Sequence, residues 1–176
     1  MSEDEIRGRN LIVRGDFSDG WDDVWKRVGE QGYVARFEET GIGYYVMMNQ
    51  SSVIKQTFET ACLSSAQLTK AQYRLSFKYE NSGDGTNSKV IIRTASGVVD
   101  PIDLSGKPPE QPQADWNYFE PYPLDVVEDD RSIDIEPHGS ALGGVAGLRL
   151  TDFDVQLHLA PLVLKSVMLD ERSYEP

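Results

Sequence analysis

Aromatic side chains set among amides, carboxylates and arginines are the residues of this sequence whose types and spacing could do chemistry. Trp21 and Trp25 stand among four aspartates in "NLIVRGDFSDGWDDVW" (10–25). Tyr44 and Tyr45 lie just before Asn49, and Trp116, Tyr118 and Tyr122 fall within "DWNYFEPYP" (115–123). An indole or phenol ring stacks on the apolar C–H face of a sugar, while the sugar hydroxyls exchange hydrogen bonds with carboxylate, amide and guanidinium groups. Such mixtures suit a carbohydrate site, with Trp21, Tyr44, Tyr45, Asn49, Trp116 and Tyr118 as candidate contacts. Against this stands the need of any β core for large residues, which weighs most for Trp25 and Trp116 and less for Trp21, in its polar loop. Neighbouring residues of a strand face opposite sides, so Tyr44 and Tyr45 cannot share one.

Other chemistries leave little trace. Two histidines, His138 and His158, stand without a GxSxG-type nucleophile signature, and no glycine-rich phosphate loop opens a helix. Carboxylate pairs are too plentiful for spacing to pick out a glycosidase acid and base. The reading is therefore non-catalytic. Cys62 is the only cysteine, so an internal disulfide is impossible and CxxC-type zinc spacing is absent. Seventeen basic against 29 acidic residues give a net charge of −12. That charge repels phosphate backbones and anionic headgroups, which argues against nucleic acid or membrane surface as partners. No apolar window is long enough to span a bilayer, and the start "MSEDEIRGRN" lacks the apolar run of a secretory signal. A soluble chain is expected, cytoplasmic or released by a non-standard route.

The elements that must position these residues follow a period of two. "YRLSFKYE" (73–80) puts Tyr73, Leu75, Phe77 and Tyr79 on one face and Arg74, Ser76, Lys78 and Glu80 on the other. "SKVIIRTAS" (88–96) follows a cluster of turn residues, and the two segments read as a hairpin. Further strands are expected at 10–14, 33–39, 43–49, 52–60, 116–120, 122–127, 131–136, 147–159 and 162–169. In the 147–159 run the apolar parity switches near Thr151, which predicts a bulge or a crossing between two sheets. Residues 61–72 are the one candidate helix, of a turn or two, and 105–115, with three prolines, is a loop. Many short strands and almost no helix predict an all-β fold, an antiparallel β-sandwich or barrel, as a single domain over 1–176.

Several of these segments, in this order, resemble the jelly-roll carbohydrate-binding modules of families 4 and 22, which have a galactose-binding-domain-like fold. "NLIVRGDFSDGW" is similar to their Asn, apolar run, Gly-Asp-Phe and Trp. "SVIKQTFET" resembles their strand with Gln before an aromatic, and "YRLSFKYENSG" their Tyr-x-x-Ser-Phe-x-x-Tyr strand. "DWNYFEPYPLDV" and "LRLTDFDVQL" resemble the Trp-bearing and closing strands. The resemblance spans about 10–159, leaving 160–176 as an extra C-terminal strand and tail. It implies the jelly roll and a lectin-like module that binds a poly- or oligosaccharide. It also implies a structural calcium, for which Asp16, Asp152 and Asp154 (with Asp19 beside them) are the matching positions. Ser18 departs from the Glu usual in that family. The other expectation is a protein-interaction or structural domain of a toxin, phage or surface assembly, with a protein partner or homo-oligomer formed through the C-terminal strand.

Overall fold

The computed structural model describes residues 8–30, 32–49, 51–61, 64, 71–81, 88–94, 97–104, 116–124, 126, 130–139 and 147–159. Among them are ten strands and no helix. These are β1 (Lys26–Arg27), β2 (Val34–Glu39), β3 (Gly43–Met48), β4 (Ile54–Glu59), β5 (Ala71–Asn81), β6 (Lys89–Thr94), β7 (Gly97–Asp103), β8 (Asn117–Pro123), β9 (Ser132–His138) and β10 (Leu148–Leu159). They form two five-stranded sheets, ordered β1-β4-β9-β6-β7 and β2-β3-β10-β5-β8. Every strand pairing is antiparallel. This is the expected all-β sandwich of jelly-roll type.

Alternation along the strands builds one core from both sheets. Ile54, Phe58, Val90, Ile92, Ile133 and Ile135 come from one side, and Val46, Met48, Tyr73, Leu75, Phe77 and Leu150 from the other. Each such side chain, fully buried, contributes roughly 1.5–3 kcal/mol. An aromatic chain runs through the middle. Phe17 and Trp25 pack on Phe153, Phe153 stacks on Phe77 at 5.0 Å, and Phe77 stacks on Phe119 at 4.8 Å. Trp25 is wholly buried, whereas Trp21 is partly exposed and packs against the core's edge.

Three sequence expectations are corrected. Residues 10–14 form turns rather than a strand: Leu11 and Ile12 are both buried while Val13 is exposed, so the alternation does not hold. The segments at 73–80 and 88–96 are not a hairpin, since β5 pairs with β10 and β8 while β6 pairs with β9 and β7. A turn cluster shows that the chain reverses, and here it crosses from one sheet to the other. The strands read at 116–120 and 122–127 are one strand, β8, an edge position where Pro121 and Pro123 are tolerated. β7 also lies at an edge and carries Pro101, which hid it from the sequence pattern. Most of 61–72, all of 105–115 and all of 160–176 lie outside the described residues, but Ala71 and Gln72 belong to β5.

What takes the place of the first strand is a segment held by side-chain amides. The Asn10 amide donates to the Phe153 carbonyl (3.0 Å), and its Oδ1 accepts from Ile12 N (2.9 Å) and Val155 N (3.0 Å). From the opposite sheet, Gln56 on β4 accepts from Val13 N (2.7 Å) and donates to Val13 O (2.9 Å). Gly15 lets the backbones touch: Phe153 N donates to Gly15 O at 3.1 Å. A Cβ at Gly15 would run into the Phe153 carbonyl. The segment thus stands beside β10 where β3 stops, because β3 pairs with β10 only at Leu148, Arg149 and Leu150. The register of β10 shifts between Thr151 and Asp154, with Asp152 at a φ of 54°, as the parity switch predicts.

Two variants test this junction. Gly15→Ala, which forces backbones apart, is expected to cost about 2–3 kcal/mol. Asn10→Ala, which leaves partly buried backbone groups without partners, is expected to cost about 1–3 kcal/mol. Chemical denaturation reads both, and wild-type midpoints for the two would show that the segment is not a structural joint.

Candidate functional site

The outer face of the β2-β3-β10-β5-β8 sheet gathers aromatic and charged side chains in register. Phe37 on β2 pairs with Tyr45 on β3, Lys78 on β5 with Tyr118 on β8, and Glu80 on β5 with Arg149 on β10. Phe37 stacks on Tyr45 with ring centres 5.7 Å apart. Trp116, just before β8, leans over the face and meets Tyr45 edge-on at 5.4 Å. The Arg149 guanidinium lies 5.5 Å over the Tyr45 ring and pairs with Glu80 at 2.7 Å and Glu39 at 3.7 Å. The other oxygen of Glu39 accepts the Trp116 indole N–H at 3.4 Å.

Exposure sorts these residues. Tyr45, although it faces outward, is only 8% exposed beneath its neighbours, while Phe37 is 38% and Tyr118 52% exposed. Trp116 is partly exposed. Around Tyr45 the face thus gathers Trp116, Phe37 and Arg149 with its two carboxylates, and Tyr118 is exposed on the same face. That combination offers a flat apolar platform beside fixed hydrogen-bonding groups, which is what a pyranose ring presents in complement.

The candidates drawn from sequence divide. Tyr45, Trp116 and Tyr118 share this face. Tyr44, on the opposite side of β3, packs against the core with Arg36 3.8 Å over its ring. Trp21 sits in the loop before β1, and Asn49 serves as a loop joint, its Oδ1 accepting from Tyr33 N. Phe37, Glu39, Glu80 and Arg149 were not singled out by sequence. In "YVARFEE" Phe37 carries no mark of an outward position, and only its pairing with Tyr45 places it there. Arg149 could have been noticed as a cation between Leu148 and Leu150 on a strand otherwise apolar in that stretch.

Asp16, Asp152 and Asp154 do line one cleft of about 360 Å³, together with Asn10, Arg14 and Gly15. Each has a partner, although Asp154 Oδ1 is buried without one. Asp16 accepts from Ser18 N and Oγ, Asp152 pairs with the Lys78 ammonium at 2.8 Å, and Asp154 accepts from Gln156 at 2.8 Å. Among the described residues no group of three or more His, Cys, Asp or Glu is arranged to hold a metal ion. A calcium held by Asp16, Asp152 and Asp154, as the resemblance implies, would have to displace the Lys78 ammonium from Asp152. Burial pushes the Asp154 carboxyl above its ordinary value, against the opposing pull of Gln156 and His158. On the other sheet His138, lowered by burial and by Lys89, lies 3.7 Å from Glu136, which Arg93 holds at 2.9 Å. Among the described residues no helix is long and apolar enough to cross a membrane.

No protein-family model matches the chain, and no curated protein matches it in sequence. Solved structures do share its fold. One is the enzymatically active domain of bacteriophage CBA120 tailspike protein 4, at 15% identity and a TM-score of 0.60 over 85% of this chain. The match covers only 21% of that longer chain. Another is the CBM22-1 xylan-binding domain from Paenibacillus barcinonensis, at 11% identity and TM-score 0.54, covering 88% of this chain and 98% of that one. A third is TmCBM61 in complex with β-1,4-galactotriose, at 16% identity and TM-score 0.50, covering 86% and 99%. The chain has the jelly-roll fold of carbohydrate-binding modules.

Asp154 gives a pH test of the cleft. A carboxyl raised in the fold favours stability while protonated, and that contribution is lost as pH rises through its folded value. Asp154→Asn is thus expected to melt higher than the parent at pH 7, with the difference vanishing below about pH 3.5. Millimolar calcium or a chelator should leave both melting temperatures in place. A calcium-dependent rise in the parent, lost in Asp154→Asn, would show a metal site after all.

Proposed function

We propose that this chain is a non-catalytic, lectin-like module that binds a poly- or oligosaccharide on the outer face of the β2-β3-β10-β5-β8 sheet. The observation that carries the reading is the Trp116 indole, edge-on to Tyr45 on an open sheet face beside Arg149, Glu39 and Glu80. The fold shared with a xylan-binding domain and a galactotriose-bound module supports it. Affinity comes from stacking and from desolvation of the C–H faces, and orientation from the part-exposed Arg149 guanidinium. The two cations near the centre, Arg149 and Lys78, are each paired with a carboxylate, Glu80 and Asp152. With a net charge of −12 besides, the face suits a neutral glycan better than a uronate or sulfated one.

A second reading, a structural or docking part of a phage-like assembly, draws on the tailspike likeness. The two differ in what the outer face touches. Calorimetric titration with neutral xylo-, cello- and galacto-oligosaccharides is expected to show reversible binding. Trp116→Ala should raise Kd about thirtyfold or more, the loss that follows truncation of an interface hot spot. Tyr44→Ala, altered on the other side of the same strand, should change affinity much less. No binding to any of these glycans would overturn the sugar reading.

A further inference from the structure

We propose that Glu39 is a positioning residue that fixes the Trp116 indole in place before any sugar arrives; this rests on the glycan-binding reading. Glu39 ends β2 and Trp116 precedes β8, the two opposite edges of the sheet. Four interstrand spacings separate those edges, about 19 Å on a flat sheet. Contact between them therefore requires the indole to lie over the face, and the hydrogen bond to Glu39 Oε1 holds it there. Glu39 is itself held, because its Oε2 faces Arg149, which Glu80 anchors from β5. Tyr45, edge-on to the indole, sets the height at which it rests. The carboxylate thus faces a donor on each oxygen, Arg149 from the central strand β10 and Trp116 from the far edge.

An indole on the rim of a sheet would otherwise sample several rotamers, and a sugar would bear the loss of that freedom on binding. Glu39 removes that loss in advance without touching the sugar ring. Its side chain is 41% exposed, so its removal leaves no buried hole and the sheet should fold as before. Gln keeps one acceptor oxygen for the indole but loses the ion pair with Arg149, so it should substitute in part where Ala cannot.

The test uses the full chain labelled with 5-fluorotryptophan, with the Trp116 fluorine resonance assigned by Trp116→Phe. Glu39→Ala is expected to shift and broaden that resonance and to raise Kd about tenfold for the tightest neutral oligosaccharide, the loss of about one hydrogen bond. Its melting temperature should stay near the parent's. Glu39→Gln, which keeps the acceptor but not the Arg149 pairing, should fall between Glu39→Ala and the parent in both resonance and affinity. The inference is overturned if Glu39→Ala leaves the resonance and Kd unchanged, or if Glu39→Gln fails as Glu39→Ala does. Should the parent bind no glycan, the sugar reading fails, and an unmoved resonance in Glu39→Ala would separately overturn the tether.

Discussion

The fold depends on how the irregular segment at 10–15 satisfies its backbone between two sheets. A run of buried peptide groups without a ladder would leave donors and acceptors unpaired, at about 1–3 kcal/mol each. Two side-chain amides supply what a strand would have given. Asn10 imitates a neighbouring strand toward Phe153 and Val155, and Gln56 imitates one toward Val13. Because the two amides reach opposite sheets, the segment also fixes the sandwich's closure along that border. Gly15 is required there by contact with Phe153, since its φ is not among the positive values.

From that junction the outer face follows. β3 gives way to the amide-held segment after pairing with Leu150, and β10 responds with a bulge. The first part of β10 directs Arg149 outward between β3 and β5, where it pairs with Glu80 and meets the Tyr45 ring. The part beyond the bulge returns Phe153, Val155 and Leu157 to the core while Asp152 and Asp154 open onto the cleft. An apolar platform with fixed polar groups and a polar cleft thus lie on one sheet but are separated by the bulge. The cleft resembles a cation site in position, yet the Lys78 ammonium already answers Asp152.

Much of this was legible in the sequence, and the failures have definite causes. Period-2 alternation located β5 and β10, with the correct inward set of Tyr73, Leu75 and Phe77, because both are long strands with one buried face. Residues 10–14 carry strand-like composition, but their hydrogen bonds go to Asn10, Gln56 and Val155, a tertiary arrangement that propensity does not encode. The hairpin failed because turn residues do not say which sheet the next strand joins. Among candidate contacts, the opposite facing of Tyr44 and Tyr45 was certain from geometry, but which of them faced out depended on Val46 and Met48 claiming the core. Glu39 and Arg149 meet only through sheet register, so nothing short of the topology brings them beside Trp116.

Likeness of fold alone leaves the ligand open, since one sandwich serves sugar binding and assembly alike. What separates them is where on the molecule a sugar is felt. The direct measurement is a two-dimensional amide and indole NMR titration of the full chain with neutral oligosaccharides. The predicted result is perturbation centred on the Trp116 indole and the amides of Phe37, Tyr45, Tyr118 and Arg149, with Trp21 and Asn49 unmoved. A saturating titration that perturbs none of these, or one whose shifts gather on the β1-β4-β9-β6-β7 sheet, would contradict a sugar site on this face.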